Sequence, residues 1–352
     1  MAQLGARLPI LFSVAALYER RIIWLMQRTF FIVGPTASGK SELAANVARE
    51  MHGEVVSADA FQIYRGINLL TAKPDAATLA KAPHHLIGTT PLYQEMNAEK
   101  FRLAASHAID QIHSRGRPAI IVGGSGLYIK ALTHGLARLP QVDPKLRAKL
   151  NALSTDALCS QLADLDAEIA RKIDAKNRRR LVRALEICLT TGKRASEQRT
   201  QWAVAASLCE ARPARVMAAP RRASQSEAAT GVFVFRDRDE LYERINRRVE
   251  AMFENGVIEE VRAAGAVSST ASQMIGLREI RELLAGKMSI LQCVAAIQQA
   301  TRRYAKRQLT WFRRQTNFEP LNLSLLSHNE AVQWILLRKH SEPRNLSGHR
   351  DD

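Results

Sequence analysis

The sequence predicts an α/β fold: a parallel sheet flanked by helices, with an all-helical insertion. Three observations predict it. Short apolar runs ending in small-residue turns alternate with helical stretches, the order a parallel sheet requires. One of those turns has the spacing of a phosphate-binding loop. After Pro140 the apolar runs give way to charged, helical periodicity.

In chain order, the apolar run "LPILFSVAAL" is too short to span a bilayer. Residues 1–25 are expected to be a disordered extension or a mis-assigned start, because Met26 stands five residues before Phe31. Phe30–Val33 reads as a buried strand and Ser41–Glu50 as the helix after the loop. "EVVSAD" gives a second strand ending at Ser57, and "RPAIIVGGSGLY" a third, with Pro118 before it and Gly123-Gly124 after it. Residues 26–140 and 230–320 are expected to form the α/β core and residues 141–215 the helical insertion. There Leu181, Leu185 and Cys188 make an apolar stripe, Arg179 and Arg183 lie on another face, and Gly192 caps the helix. Residues 216–229 read as a mobile linker and Val232–Phe235 as a returning strand. Asp239 to about Arg314 reads as helical, and residues 321–352 as a frayed tail.

The chain has 352 residues, 46% hydrophobic and 24% charged, enough for a packed core. Its 51 Lys and Arg against 34 Asp and Glu give a net charge of +17, which favours a polyanionic partner, nucleic acid before a membrane surface. Cys159, Cys188, Cys209 and Cys293 fit neither a zinc site nor a disulfide framework and read as reduced thiols of a cytoplasmic protein.

"GPTASGKS", Gly34–Ser41, fits G-x-x-x-x-G-K-[ST] between a strand and a helix. Gly34, Pro35, Thr36, Ala37, Ser38 and Gly39 can turn backbone N–H groups onto phosphate oxygens. Lys40 supplies a point charge and Ser41 a hydroxyl for Mg²⁺. The fold is therefore P-loop NTPase-like. Such an NTPase wants an acid at the end of a second apolar strand. "AIIV" ends in Gly123, so that carboxylate is Asp59 or missing.

"SADAFQIYRG" puts Asp59 and Gln62 just after a strand, where open α/β sheets bind ligands. Asp59 suits a general base, a metal partner or a helix-capping residue. The Gln62 amide suits a nucleobase edge. Ser125 follows the third strand and reads as a ligand contact or a simple turn residue. "TRRYAKRQLTWFRR" holds six basic residues and no acid, with Tyr304, Trp311 and Phe312 interleaved to anchor the helix or stack on bases. "KNRRRLVR" adds five more positive charges. Two clusters without a compensating acid favour a phosphate backbone over a solvated face. Arg244 and Arg248, at i and i+4, could point to a diphosphate. Glu240, Glu243 and Glu250 stand close enough in sequence to neutralise them instead.

Taken together, "GPTASGKS", "SADAFQIYRG", "TAKP", "PHHLIG", "IIVGGSGLYIKAL", "NRRRLVRALEICLTTGK", "LYERINRRVEAMFENGVIEEV", "MIGLRE" and "TRRYAKRQLTWFR" resemble the tRNA dimethylallyltransferases, in that family's order over roughly residues 29–315. The resemblance implies transfer of a dimethylallyl group from dimethylallyl diphosphate to the exocyclic amine of the adenosine just 3′ of the anticodon. Pyrophosphate leaves, Mg²⁺ assists, and the insertion grips the anticodon stem-loop of the tRNA.

By the same resemblance Asp59, Ser125 and Lys40 are catalytic, with Asp59 the general base. Gly34–Ser41, Arg244 and Arg248 would hold the diphosphate. Asp59, Ala60, Phe61, Gln62, Arg147, Arg179, Arg180, Arg183, Gln273, Arg278, Lys306, Arg307, Gln308, Trp311 and Arg313 would meet tRNA, with Gln62 reading the adenine. Ser125 stands where the family usually has threonine. Ala60, Phe61, Gly88 and Leu277 depart from the family pattern, which predicts an active enzyme of weakened or altered activity. A monomer without a membrane partner is expected. Competing readings are an ATP-using small-molecule kinase of P-loop fold and an RNA-binding module with a relic loop.

Overall fold

A computed structural model describes residues 29–136, 143–199 and 231–338. Within it the chain forms two compact units, one inside His134–Ala205 and one built from the chain on either side.

The larger unit is a six-stranded parallel sheet, in the order β3-β2-β4-β1-β5-β6. Its strands are β1 (Thr29–Val33), β2 (Glu54–Ser57), β3 (His84–His85), β4 (Ala119–Gly123), β5 (Gly231–Phe235) and β6 (Glu319–Asn322). Helix α1 (Lys40–Glu50) follows β1, α2 (Ala98–Ser114) precedes β4 and α3 (Gly126–His134) follows it. After β5 come α4 (Arg238–Glu254), α5 (Val257–Ala263), α6 (Leu277–Leu284) and α7 (Ile290–Phe312). Helix α8 (His328–Arg338) follows β6.

Successive strand side chains point to opposite faces, and both faces are covered. Phe31, Val33, Val56, Ile121 and Phe233 share one core with Phe101, Ile109 and Phe312. Phe30, Ile32, Val55, Ile120 and Val122 share the other with Leu43 and Val47 of α1 and Val332 and Ile335 of α8. This is why β1 and β4 read as unbroken apolar runs rather than alternating ones.

The frayed tail is a correction as far as residue 338. Pro320 and Leu321 lie in β6, which pairs with β5, and Leu321 and Leu323 are each 5% exposed. A proline in the strand hides its β signal, and the edge position tolerates it. Residues 339–352, like residues 1–25 and the linker 216–229, lie outside the described residues. So does Cys209, while Cys188 and Cys293 are buried free thiols and Cys159 is partly exposed.

The smaller unit is helical: Pro144–Ala152, Thr155–Leu165, Ala167–Lys172, Arg178–Thr191 and Ala195–Arg199. Its own core holds Leu158, Leu162, Leu181, Leu185 and Cys188. Gly192 ends the longest helix in a left-handed cap at φ 64°, as its sequence predicts.

Candidate active site

The phosphate loop joins β1 to α1. Gly34 N–H donates to Gly123 O at 3.2 Å, tying the loop to the neighbouring strand. Gly39 enters the helix at φ 93°, a left-handed conformation that favours glycine. No side chain caps α1, so its first N–H groups and positive dipole end face the loop. Ser38 is fully buried, and its Oγ has no hydrogen-bond partner among the described residues.

Arginines brace the loop from outside, one residue each. Arg248 Nη2 donates to Thr36 Oγ1 at 2.8 Å, Arg244 Nε to Ala37 O at 2.9 Å, and Arg236 Nε to Ser38 O at 2.9 Å. The neutralised-surface reading of Arg244 and Arg248 is therefore overturned. Glu240 bonds Arg236, Glu243 bonds Arg247 and Glu250 bonds Gln298. The Arg248 Nε is buried without a partner among the described residues. Burial lowers the Arg248 pKa to about 10, with Arg244 lowering it further and Asp59 opposing. Sequence reasoning missed Arg236; its signal is a basic residue at the C-terminal end of β5, the neighbour of β1.

Lys40 donates from Nζ to Pro35 O at 3.1 Å. Burial lowers its pKa to about 8, the Arg248 charge adds to the fall, and the Asp59 carboxylate opposes it. Loop lysine, buried arginine and carboxylate thus share one electrostatic environment.

Asp59 stands two residues beyond β2. Its Oδ1 accepts the N–H of Phe61 at 2.9 Å and of Gln62 at 3.2 Å, so it closes a turn; no helix begins there for it to cap. Its Oδ2 has no hydrogen-bond partner among the described residues. The missing acid after β4 has a steric cause. A side chain at Gly123 would run into the Ala58 backbone, so no acid fits at that position, and Asp59 stands just beyond the neighbouring strand β2.

Asp59, Thr36 and Arg248 line a cavity together with Phe61, Leu70, Met252, Met274 and Ile297. Tyr304 lines it from α7. Burial, with Asp59 adding, holds the Tyr304 hydroxyl above the ordinary phenol range, while a hydrogen bond with Ser125 opposes that shift. Ser125 Oγ also accepts the Ala60 N–H at 3.0 Å, so it fixes the Asp59 turn. Tyr304 was legible only as an interleaved aromatic.

Two amides sit differently from the expectation. Gln62 accepts from Ser57 Oγ at 3.3 Å and donates to Ala72 O at 2.9 Å, so both ends of its side chain are engaged within the chain rather than offered to a base. Gln308 is 5% exposed and bonds Thr36 N–H and Gly124 O, so it is an internal brace rather than a surface contact. Trp311 packs edge-on against Phe312, with ring centroids 4.8 Å apart, and lies against the bare Cα of Gly126; it anchors α7.

The cationic face of α7 is exposed at Arg303, Lys306, Arg307, Arg313 and Arg314, with Arg307 over the Tyr304 ring at 5.7 Å. Gln273 and Arg278 are exposed, and Arg278 pairs with Glu279 at 2.8 Å. In the helical unit Arg179 and Arg180 are exposed, but a compensating acid exists there after all. The buried Glu186 takes Arg147 at 2.5 Å and Arg183 at 3.3 Å. Glu186 sits between Leu185 and Cys188 within the apolar stripe, which masks it in the sequence.

A family model described as IPP transferase matches residues 62–315. The chain is 40% identical over 287 residues to a tRNA dimethylallyltransferase of Akkermansia muciniphila, covering 82% of this chain and 90% of that relative. It is 41% identical over 283 residues to tRNA dimethylallyltransferase 1 of Citrifermentans bemidjiense, covering 79% and 87%. Among solved structures, the full-length tRNA isopentenylpyrophosphate transferase from Bacillus halodurans matches with TM-score 0.61 and 31% identity, over 89% of this chain and 96% of that one. A eukaryotic dimethylallyltransferase acting on tRNA shares the fold, with TM-score 0.69 and 24% identity, over 88% and 78%. A loop braced by arginines, a carboxylate lining the same cavity as the loop and this likeness along most of the chain agree: the protein belongs to the IPP transferase family.

Proposed function

We propose that this protein transfers a dimethylallyl group from dimethylallyl diphosphate to the exocyclic N6 amine of the adenosine 3′-adjacent to the anticodon of tRNA, releasing pyrophosphate. One observation carries the site-level reading: the cavity is lined by Arg248, Asp59 and the loop residue Thr36 together with methionine, leucine and isoleucine side chains. An isoprenoid diphosphate needs both surfaces, and an ATP-driven kinase needs no apolar wall there.

In this reading a C–N bond forms at the prenyl carbon as its C–O bond to the diphosphate breaks. The amine proton passes to Asp59 Oδ2, while Oδ1 keeps the turn in place. Lys40, Arg244, Arg248 and the loop N–H groups offset charge gathering on the leaving pyrophosphate. Ser41, half-buried in the first turn of α1, fits Mg²⁺ as a hydroxyl ligand. No group of three His, Cys, Asp or Glu that could hold a metal occurs among the described residues, so phosphate and water oxygens would complete its shell. When bound, Mg²⁺ would neutralise diphosphate charge. The exposed cations of α7, with Arg179 and Arg180 of the helical unit, suit the tRNA backbone. The same reading makes the protein a cytoplasmic monomer, and among the described residues no helix is long and apolar enough to cross a membrane.

The test supplies donor labelled in its prenyl group, ATP and bulk tRNA. Label entering tRNA with no ATP turnover supports the reading. ATP turnover without label transfer, or salt-sensitive RNA binding without chemistry, overturns it.

A further inference from the structure

We infer that Arg236 is a third diphosphate-binding arginine, which together with Arg244 takes the phosphate distal to the prenyl carbon. The inference rests on the reading of the loop as a diphosphate site. Its first support is how the guanidinium is held. Nε donates to Ser38 O at 2.9 Å, and Nη1 donates to Glu240 Oε1 at 2.5 Å and to Leu323 O at 2.9 Å. Glu240 is itself held by Ser324 Oγ at 2.5 Å. Two edges of the fork are fixed, and Nη2 has no partner among the described residues.

The second support is where Nη2 ends. It and Arg244 Nη2 each lie 3.7 Å from the point that a β-carbon on Gly39 would occupy. Two cationic ends converge there, and among the described residues no carboxylate is bonded to either nitrogen. The neighbouring acids are engaged elsewhere, Glu240 as above and Glu42 on Lys81 at 3.4 Å. Burial first and the Arg236 charge second depress the Arg244 pKa, with Glu240 and Glu42 opposing, so the two guanidinium groups repel and an anion at this point relieves that. The fully buried, unpartnered Ser38 Oγ lies in the same stretch of loop.

The third support is order along the loop. Thr36 and Arg248 line the cavity, where the prenyl group and its attached phosphate belong, while Gly39 does not. The distal phosphate therefore falls toward Ser38 and Gly39. Because Leu323 and Ser324 follow β6, the C-terminal strand becomes part of how this seat is held.

Binding of inorganic pyrophosphate and of orthophosphate is measured by calorimetry for wild type, Arg236→Ala and Arg236→Lys. A lost charged hydrogen bond corresponds to roughly ten- to hundred-fold in affinity. Pyrophosphate affinity is expected to fall by about that factor in Arg236→Ala and by less in Arg236→Lys, with orthophosphate unchanged. Unchanged pyrophosphate affinity in Arg236→Ala overturns the inference. An equal loss for both anions does too, since it would mean Arg236 only braces Ser38. If Arg236→Ala does not fold, the same pyrophosphate-to-orthophosphate ratio is read from Arg236→Lys. A wild type that binds no pyrophosphate would instead sink the diphosphate reading of the loop.

Discussion

Gln308 Oε1 accepts the backbone N–H of Thr36 at 2.9 Å, so the basic helix α7 is fastened to the phosphate loop from within. The other end of the same amide donates to Gly124 O at 2.9 Å, beyond β4. One buried side chain thus sets the loop, the end of β4 and the basic helix α7 against each other. Gln308→Leu keeps the size and strands two backbone groups, each worth about 1–3 kcal/mol when buried unpaired. The expected outcome is a lower melting temperature and a raised donor KM, with tRNA affinity nearly unchanged because the exposed cations of α7 remain. Thermal melts and donor titrations check it.

Asp59 has separable duties. Asn keeps an Oδ1 acceptor for Phe61 and Gln62 N–H but removes the base. Asp59→Asn is expected to lower kcat by about two to four decades with tRNA affinity preserved. Asp59→Ala should lose the turn as well and bind tRNA less well. Single-turnover kinetics and filter binding on both variants separate chemistry from shape, and an Asn variant of near-normal rate would remove Asp59 from the base role.

Lys40 gives a pH signature. Its folded value is lowered to about 8, and a bound diphosphate favours the charged form and lifts it again. Pyrophosphate binding slightly above pH 8 is expected to take up a proton that Lys40→Met does not take up, measured by calorimetry in buffers of differing ionisation enthalpy. The stability sign follows. Between about 8 and 10.5 the unfolded chain holds the lysine proton and the folded chain does not, so this group's contribution to stability rises with pH across that window. Below it the buried charge is a burden, and Lys40→Met should melt higher than wild type at neutral pH.

The basic residues expected to meet tRNA divide into two kinds. Lys306 and Arg313 are exposed, with no acid bonded to them among the described residues, so each alanine variant should reduce the salt slope of tRNA binding by about 1 and leave stability alone. Arg147 is bonded to Glu186, whose side chain is 2% exposed. Removing it leaves a buried carboxylate with Arg183 alone and is expected to cost about 2 kcal/mol of stability, below the value for a fully buried pair because Arg147 is partly solvated. Glu186→Gln added to Arg147→Ala should restore much of the melting temperature. Denaturant unfolding and salt-dependent binding distinguish the two kinds.

Much of the fold was legible because it rests on local signals. Phe30–Val33, "EVVS" and "AIIV" are short apolar runs with nothing else to become, and Gly39-Lys40-Ser41 sits where a strand meets a helix. The sheet edges were not legible. His84–His85 is too short to show a period, and Pro320 conceals β6. The site was legible as residue types at strand ends. Its connections were not, because Arg236, Gln308 and Tyr304 reach the loop and Asp59 over long sequence separations that only the packed sheet closes. Glu186 was hidden for the same reason: its partner Arg147 is 39 residues away.

The most direct measurement of the central claim is mass spectrometry of nucleosides from unmodified tRNA incubated with this protein, Mg²⁺ and dimethylallyl diphosphate. The expected result is one five-carbon prenyl unit on the adenosine 3′ of the anticodon, with one pyrophosphate released per unit and none in the Asp59→Asn reaction. Unmodified adenosine at saturating donor, with the same protein shown to bind both tRNA and pyrophosphate, would contradict it.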